Sequence, residues 1–179
     1  SRDRYLKAKA EAEQIVRESG LEYTLFRPTL IYGPDDELIY RYGRLAYHLP
    51  AVPIIASGQN PVRPILVNDA VSALLAALEQ PVSVGKEYVL GGAQVILRRD
   101  ITDTVIHVFR QKKFKIPIPL FLYYSAAHLM ETFWPHPWIT RQHLNMLIRP
   151  HAGDISALRK ELGVEPISFE EGVRHYIGL

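Results

Sequence analysis

The sequence predicts an α/β fold in which half of a doubly wound parallel sheet is followed by a mostly helical lobe. Short apolar runs such as Tyr23–Phe26 and Ile65–Val67 alternate with longer segments of helical periodicity. Only about three core strands are visible, whereas a complete doubly wound sheet needs two βαβαβ halves. From Lys112 the composition changes to aromatic residues and prolines after a basic start. We therefore expect a sheet unit over 1–111 and a helical, partner-facing lobe over 112–179.

The first element is a helix that we expect from about Asp3 to Ser19. The carboxylate of Asp3 is a suitable N-cap, and Gly20 is a suitable C-terminal stop. Glu13 and Arg17 stand four residues apart, and we expect this pair to face water. One face of the helix carries the residues that are candidates for packing or chemistry: Tyr5, Ala8, Lys9, Ala12, Ile15 and Val16.

Strands and further helices then alternate. A strand over Tyr23–Phe26 should end before Pro28, since proline has no N–H for the sheet ladder. Two helices are predicted with an aspartate at the N-cap, one at Asp69 and one at Asp100. The remaining helices are expected near 38–49, 140–147 and 155–162, and after Ser168, which has Glu171 three residues further on.

Composition excludes several kinds of site. The chain has no cysteine, which rules out disulfides, thiolate metal sites and a cysteine nucleophile. Its seven histidines do not show the spacing of metal ligands, so we predict no metal site. The net charge of +2 is too small to indicate nucleic-acid binding by itself. No apolar run in the sequence is long enough to span a bilayer.

Tyr5 and Lys9 form the candidate chemical pair, because they stand one helical turn apart on the same face. A tyrosine has an ordinary pKa of about 10, but a cation within roughly 4–6 Å favours the phenolate and lowers that pKa. The same ammonium group can donate hydrogen bonds to ribose hydroxyls. The pair therefore suits general acid–base catalysis or cofactor contact, although this spacing also arises by chance on helix surfaces.

The segment RYLKAKAEAEQIVRESGLEYTLFRPTLIYGP, followed by PILVNDAV, YVLGG and LRKELGVEPISFEEGV, resembles the extended and atypical short-chain dehydrogenases/reductases. The resemblance implies a Rossmann-like fold, with Tyr5 as acid–base and Lys9 as its activator and ribose ligand. It implies contact with the nicotinamide of NADP(H) or NAD(H) from four consecutive residues: Pro28, Thr29, Leu30 and Ile31.

Two parts of that family's pattern are missing from the sequence. There is no glycine-rich turn to cradle the dinucleotide phosphates, and no Ser or Thr far enough upstream of Tyr5 to polarise a substrate. We therefore expect a glycine-rich N-terminal half that is either truncated or supplied by a separate polypeptide, and cofactor binding only when that half is present. Arg27 is expected to anchor the turn after the strand, with a salt bridge as the alternative.

Later segments narrow the resemblance. Pro117–Phe121 and Pro137–Arg141 resemble the dehydrogenase-like accessory subunits of mitochondrial respiratory complex I. That branch implies a non-catalytic subunit that holds NADP(H), supports assembly of the quinone-binding region and lies peripherally on the matrix side of the inner membrane, against other complex I subunits. Residues 110–138 begin with a basic cluster and continue with aromatic residues, so we expect contact with the membrane surface or a partner, or else packing within the C-terminal lobe.

Two other functions stay open at this point. An NAD(P)-dependent epimerase, dehydratase or reductase seen as a fragment is favoured by the intact Tyr5/Lys9 pair. An RNA-binding module would use the basic cluster at Arg110–Lys115 and would bind with steep salt dependence. The small net charge disfavours this last function, and no nucleic-acid partner is expected.

Overall fold

The computed structural model describes residues 2–34, 36, 48, 51–55, 58–108, 114–134 and 152–177. The helix expected over 140–147, most of that over 38–49, and the Pro137–Arg141 motif lie outside these ranges. Within the described residues the elements are, in chain order, α1 (Arg2–Glu18), β1 (Leu25–Pro28), β2 (Leu30–Tyr32), β3 (Ala51–Ile55), β4 (Pro61–Val62), β5 (Pro64–Leu66), α2 (Val67–Glu79), a 3-10 turn (Pro81–Ser83), β6 (Glu87–Leu90), β7 (Ile96–Leu97), α3 (Arg98–Val108), β8 (Phe114–Ile118), α4 (Leu120–Phe133), α5 (Ser156–Leu162) and α6 (Phe169–Ile177).

The described strands associate in pairs, most of them parallel. β1 pairs with β6, β2 with β5 and β3 with β8 in parallel, whereas β4 and β7 are antiparallel. Two parallel strands cannot be joined by a tight turn and need a long connection. The connection from β1 to its partner β6, for example, includes the helix α2. The predicted α/β class is confirmed.

The first strand lies two residues later than expected, and the prediction that Pro28 breaks it is wrong. Pro28 is the last residue of β1 and stands opposite Leu90 in the register of the β1–β6 pair. The ladder continues directly afterwards, because the N–H of Thr29 donates to the Leu90 carbonyl oxygen at 3.0 Å. A proline at the end of a strand costs one donor and leaves the pairing on either side intact.

Two apolar clusters form the core on opposite sides of β5, which is buried along its length. Leu66 belongs to a cluster with α3 and α6, and its neighbour Ile65 to a cluster with α2, α5 and β6. This alternation follows from the two-residue period of a strand. Both clusters contain residues from 152–177, so this segment packs directly on the strands. The division at residue 111/112 stays a prediction.

The two aspartates predicted as N-caps, Asp69 and Asp100, are each the third residue of their helix and not its N-cap. α2 begins at Val67, and Asp69 Oδ2 accepts a hydrogen bond at 3.0 Å from the N–H of Ile167, far away in sequence. α3 begins at Arg98, and Asp100 reaches back to accept the N–H of Leu97 at 3.1 Å. Both carboxylates lie in the first turn of their helix, where the positive end of the helix dipole favours them.

The helix signals at the chain's two ends are confirmed. Gly20 follows α1 with a φ of 71°, a left-handed conformation that glycine adopts without steric cost. The Ser168 hydroxyl accepts the N–H of Glu171 at 3.3 Å, as the N-cap of α6 should.

Candidate functional site

Four charged side chains join α1 to the β1–β6 pair, and we call them the charge quartet: Glu13, Arg17, Arg27 and Glu87. The Nη2 group of Arg17 lies 2.9 Å from Glu13 Oε1 and 2.8 Å from Glu87 Oε2. The Nη2 group of Arg27 lies 2.8 Å from Glu13 and 3.1 Å from Glu87, at the same two oxygens. Each charge therefore contacts two opposite charges, and the four close a ring of alternating sign.

The charge quartet contradicts the expectation for Glu13 and Arg17, and it decides between the two roles considered for Arg27. The Glu13–Arg17 pair was expected to face water, whereas it faces strand residues, and the side chain of Glu13 is only 27% exposed. For Arg27 the alternative of a salt bridge is confirmed. The Arg27 guanidinium beside Glu87 is the largest cause that lowers the pKa of that carboxyl, and the carboxylate of Glu13 is the largest cause that raises the pKa of Arg17.

The quartet shows where Tyr5 and Lys9 stand along the sheet. Tyr5, Lys9, Glu13 and Arg17 follow one another at intervals of four residues, so they form one inclined stripe along α1 that turns about 40° around the helix at each step. Because α1 returns over β1 through the Gly20 turn, earlier residues of α1 lie towards later residues of β1. A rise of 1.5 Å per residue puts the Cα of Lys9 about 6 Å and that of Tyr5 about 12 Å beyond Glu13. The pair thus stands towards the carboxyl end of β1.

The backbone of Tyr5 is helical, and its side chain lies outside the described part of the structure. Lys9 is exposed on α1. The predicted apolar face of this helix is not buried in this chain, since Ile15 is 68% and Val16 is 37% exposed. The helix contacts the strands through Glu13 and Arg17 instead, so the division into a packing face and a water face that periodicity predicted is wrong for this half of α1.

The four residues predicted beside a nicotinamide run from the last residue of β1 through Thr29 into β2, at the carboxyl end of β1. Pro28 and Ile31 are exposed. Thr29 is already engaged, because its hydroxyl lies within hydrogen-bond distance of the carbonyl oxygens of Arg63 and Leu90. Thr29 therefore ties the β1–β6 pair to the β2–β5 pair, and it is a structural residue rather than an available donor.

A second polar cluster, which sequence reasoning missed, connects β6 to α5. Tyr88 is almost fully buried, and its hydroxyl donates to Glu161 Oε2 at 2.7 Å, where the Lys86 ammonium also donates at 2.7 Å. The hydrogen bond from Lys86, and then that from Tyr88, lowers the pKa of Glu161. Burial raises the pKa of Tyr88 to about 12, so this phenol is unsuited to acid–base work near neutral pH.

Tyr88 gives a prediction for alkaline conditions. Below pH about 10 the phenol is neutral in both the folded and the unfolded chain, and its contribution is constant. Above that pH only the unfolded chain ionises, so stability should fall, by at most about 1.4 kcal/mol per pH unit, until the folded pKa is reached. Urea unfolding followed by circular dichroism at several pH values should show this fall in the free energy of unfolding. In Tyr88→Phe, the part of the fall that the phenol of Tyr88 causes should be absent. Tyr23→Phe is the matched control, and equal slopes in the two variants would contradict the assignment.

Neither a metal site nor a membrane span is present within the described ranges. No group of three or more histidine, aspartate or glutamate side chains there is arranged to hold a metal ion. In the same residues, no helix combines the length and the apolar character needed to cross a bilayer. The basic residues Arg110, Lys112 and Lys113 lie outside the described residues, and Lys115 pairs with Asp103 at 2.6 Å.

Large apolar side chains lie exposed on two further helices. On α2 they recur at Val71, Leu74, Leu75 and Leu78, and Leu78 is 85% exposed. This spacing makes one stripe on the helix, beside the face where alanines pack into the core. On β8 and α4 the exposed residues are mainly aromatic: Phe114, Phe121, Phe133 and Trp134. Exposed apolar side chains of this size are typical of surfaces that contact protein or membrane.

The parallel strand pairs and the helices between them belong to the Rossmann-like class of α/β fold. Comparison with known proteins agrees. Residues 1–91 match the NAD dependent epimerase/dehydratase family, and the chain belongs to that family. A solved structure of the dTDP-glucose 4,6-dehydratase from Streptomyces venezuelae, with NAD and TYD bound, has the same fold. It matches with a TM-score of 0.68 at 17% identity, over 93% of this chain and 46% of the other.

Among curated relatives, the chain is similar to NADH dehydrogenase [ubiquinone] 1 alpha subcomplex subunit 9, mitochondrial, of Dictyostelium discoideum. They are 26% identical over 170 residues, which cover 93% of this chain and 48% of the relative. The chain is also 26% identical to the 2-alkyl-3-oxoalkanoate reductase of Stenotrophomonas maltophilia, over 95% of this chain and 56% of the reductase. The chain therefore spans about half the length of these relatives.

Proposed function

We propose that this chain is part of a non-catalytic accessory subunit of respiratory complex I. The observation that carries the proposal is the similarity to the alpha subcomplex subunit 9 along 93% of the chain. The subunit would lie peripherally on the matrix side of the mitochondrial inner membrane, against subunits near the quinone site. There it would support the assembly and stability of that region.

The exposed apolar surfaces support a role inside an assembly. Leu75 is 56% and Leu78 is 85% exposed on α2, and exposure of this size is unfavourable in water. The aromatic surface of β8 and α4 supports peripheral contact with the membrane through 110–138, because exposed Phe and Trp suit the headgroup region. Neighbouring protein is the alternative cover for the same surface.

We further propose that the subunit holds NADP(H), or NAD(H), together with a glycine-rich N-terminal half. The residues present fit one side of such a cofactor: Lys9 is exposed on the stripe that runs towards the carboxyl end of β1, and Pro28 and Ile31 are exposed at that end. Ligands of parallel α/β sheets bind at this end of the strands. Tyr5 and Lys9 would contact ribose there without turnover.

Native electrophoresis with mass spectrometry tests the assembly role. If the proposal is right, the protein migrates with complex I subunits in mild detergent, because its apolar surfaces are covered by them. Migration as a free monomer, with no complex I subunit in the same band, would refute it.

A second candidate function is an NAD(P)-dependent epimerase, dehydratase or reductase. It is supported by the family match, by the similarity to the oxoalkanoate reductase and by the Tyr5/Lys9 pair. This alternative requires turnover in the full-length protein that falls sharply in Tyr5→Phe, since the phenol would then transfer the proton. Unchanged turnover in that variant would remove the alternative.

A further inference from the structure

The helix that carries Lys9 contacts the sheet through charged side chains. In the second half of α1, Ile15 is 68% exposed and Val16 is 37% exposed, so neither belongs to the buried core. In the same half of the helix, Glu13 contacts Arg27 of β1 and Arg17 contacts Glu87 of β6, both at 2.8 Å. The guanidinium of Arg17 also lies 6.0 Å from the centre of the Tyr23 ring, close to the turn into β1.

We propose that the charge quartet sets the position of α1 on the β1–β6 pair and, through α1, positions the Tyr5/Lys9 stripe at the carboxyl end of β1. Glu13, Arg17, Arg27 and Glu87 are then positioning residues, because they lie one to three turns or one strand away from the ligand end of the sheet. The second part of this inference rests on the proposed nucleotide site, whereas the first part does not.

The geometry of the charge quartet indicates that its four ion pairs act together and not as separate surface ion pairs. A single exposed ion pair contributes little, because water and salt screen it and two long side chains lose freedom. In the charge quartet each guanidinium is shared between two carboxylates, and each carboxylate between two guanidinium groups. Moving α1 by a few ångströms would therefore break the two contacts between helix and strands together. Such a network should weaken as ionic strength rises, because its members are partly exposed.

The alternation of charge allows a clean test by reversal. The helix swap, Glu13→Arg with Arg17→Glu, keeps the pair within α1 but places like charges against Arg27 and Glu87. The sheet swap, Arg27→Glu with Glu87→Arg, does the same from the strands. Combining both swaps restores opposite charges at every contact. Lys7→Glu with Glu11→Lys is the matched control, since it exchanges two exposed charges on α1 outside the charge quartet.

Backbone amide hydrogen exchange is the first measurement. We expect each swap to speed exchange along the second half of α1 about tenfold and the combined variant to return it to the wild-type rate. Exchange in α2 reports whether a variant is folded and should not change. In the wild type, exchange of α1 should rise between ionic strengths of about 0.01 M and about 1 M, where the Debye length falls from about 30 Å to about 3 Å. Unchanged exchange in the swaps, or no recovery in the combined variant, would overturn the inference.

NADPH titration of the full-length protein is the second measurement. Both swaps should weaken NADPH binding about tenfold, and the combined variant should recover it. If the swaps loosen α1 but leave NADPH affinity unchanged, the positioning of the stripe is refuted. If the wild type binds no NADPH, the proposed nucleotide site fails, while the exchange data still decide how α1 is held.

Discussion

Replacing Gly92 with alanine is expected to prevent stable folding of this chain. A Cβ atom at Gly92 would overlap the carbonyl oxygen of Pro64 and lie 2.9 Å from its carbonyl carbon. Both contacts are with backbone, so no side chain can rotate away. Gly92 lies two residues after the end of β6 and donates its N–H to the Arg63 carbonyl oxygen at 3.3 Å, which holds this end of β6 beside the start of β5. Separating these segments would open the core on both sides of β5.

We expect a loss of about 4 kcal/mol or more, which is a large part of the stability of an ordinary domain. Thermal and urea unfolding followed by circular dichroism would measure it. Gly85→Ala is the control: Gly85 has a φ of 74°, and no atom lies within 4 Å of the position that a Cβ would take there, so its cost is conformational only. That cost should be about 1–2 kcal/mol. A Gly92→Ala protein as stable as Gly85→Ala would contradict the prediction.

The second large effect is expected on assembly. Leu75→Glu combined with Leu78→Glu places two carboxylates on the exposed stripe of α2 without touching the buried alanines of that helix. The isolated chain should fold normally, because both side chains are largely in water. Incorporation into a complex I assembly should fall more than about tenfold, since a buried, unpaired carboxylate is strongly unfavourable at an interface.

Native electrophoresis with quantitative mass spectrometry would measure this incorporation. Ser72→Glu is the matched control, because Ser72 is exposed on the same helix but outside the apolar stripe. Equal incorporation of the double variant and the control would show that this stripe is not the surface covered in the assembly. The membrane-facing proposal for β8 and α4 does not depend on that result.

Local signals in the sequence predicted several elements well. The Gly20 stop of α1 and the Ser168 cap of α6 were correct, because end chemistry depends on residues within one or two turns. The bounds of α1 lie one residue earlier than predicted at each end, so Asp3 is inside the helix and not its N-cap. The α/β class followed from the alternation of strands and helices. The family signatures were also readable, since they are short segments that occur in a fixed order, and residues 1–91 match the family.

Predictions that depended on distant partners were wrong or incomplete. Asp69 has the chemistry of an N-cap, yet its carboxylate accepts the N–H of Ile167, and no local pattern could show that. The end of β1 was misplaced because the partner strand β6 decides where a ladder stops, and Leu90 lies opposite Pro28. No local pattern showed that the Thr29 hydroxyl lies between the carbonyl oxygens of Arg63 and Leu90, while the contact of its backbone with a nicotinamide stays a prediction.

The amino-acid sequence by itself determined the fold class, the helix ends at Gly20 and Ser168, the family and the Tyr5/Lys9 spacing, because each depends on residue types at short separations. Only the tertiary structure decided what lies opposite them: Arg27 and Glu87 beneath α1, Tyr88 buried against Glu161, and the apolar stripe of α2 left exposed. Ion pairs, burial and exposure are properties of neighbours brought together by the fold. The periodicity of a helix predicts which residues share one face of it. Only the folded structure shows whether strands, a cofactor, another subunit or water contacts that face.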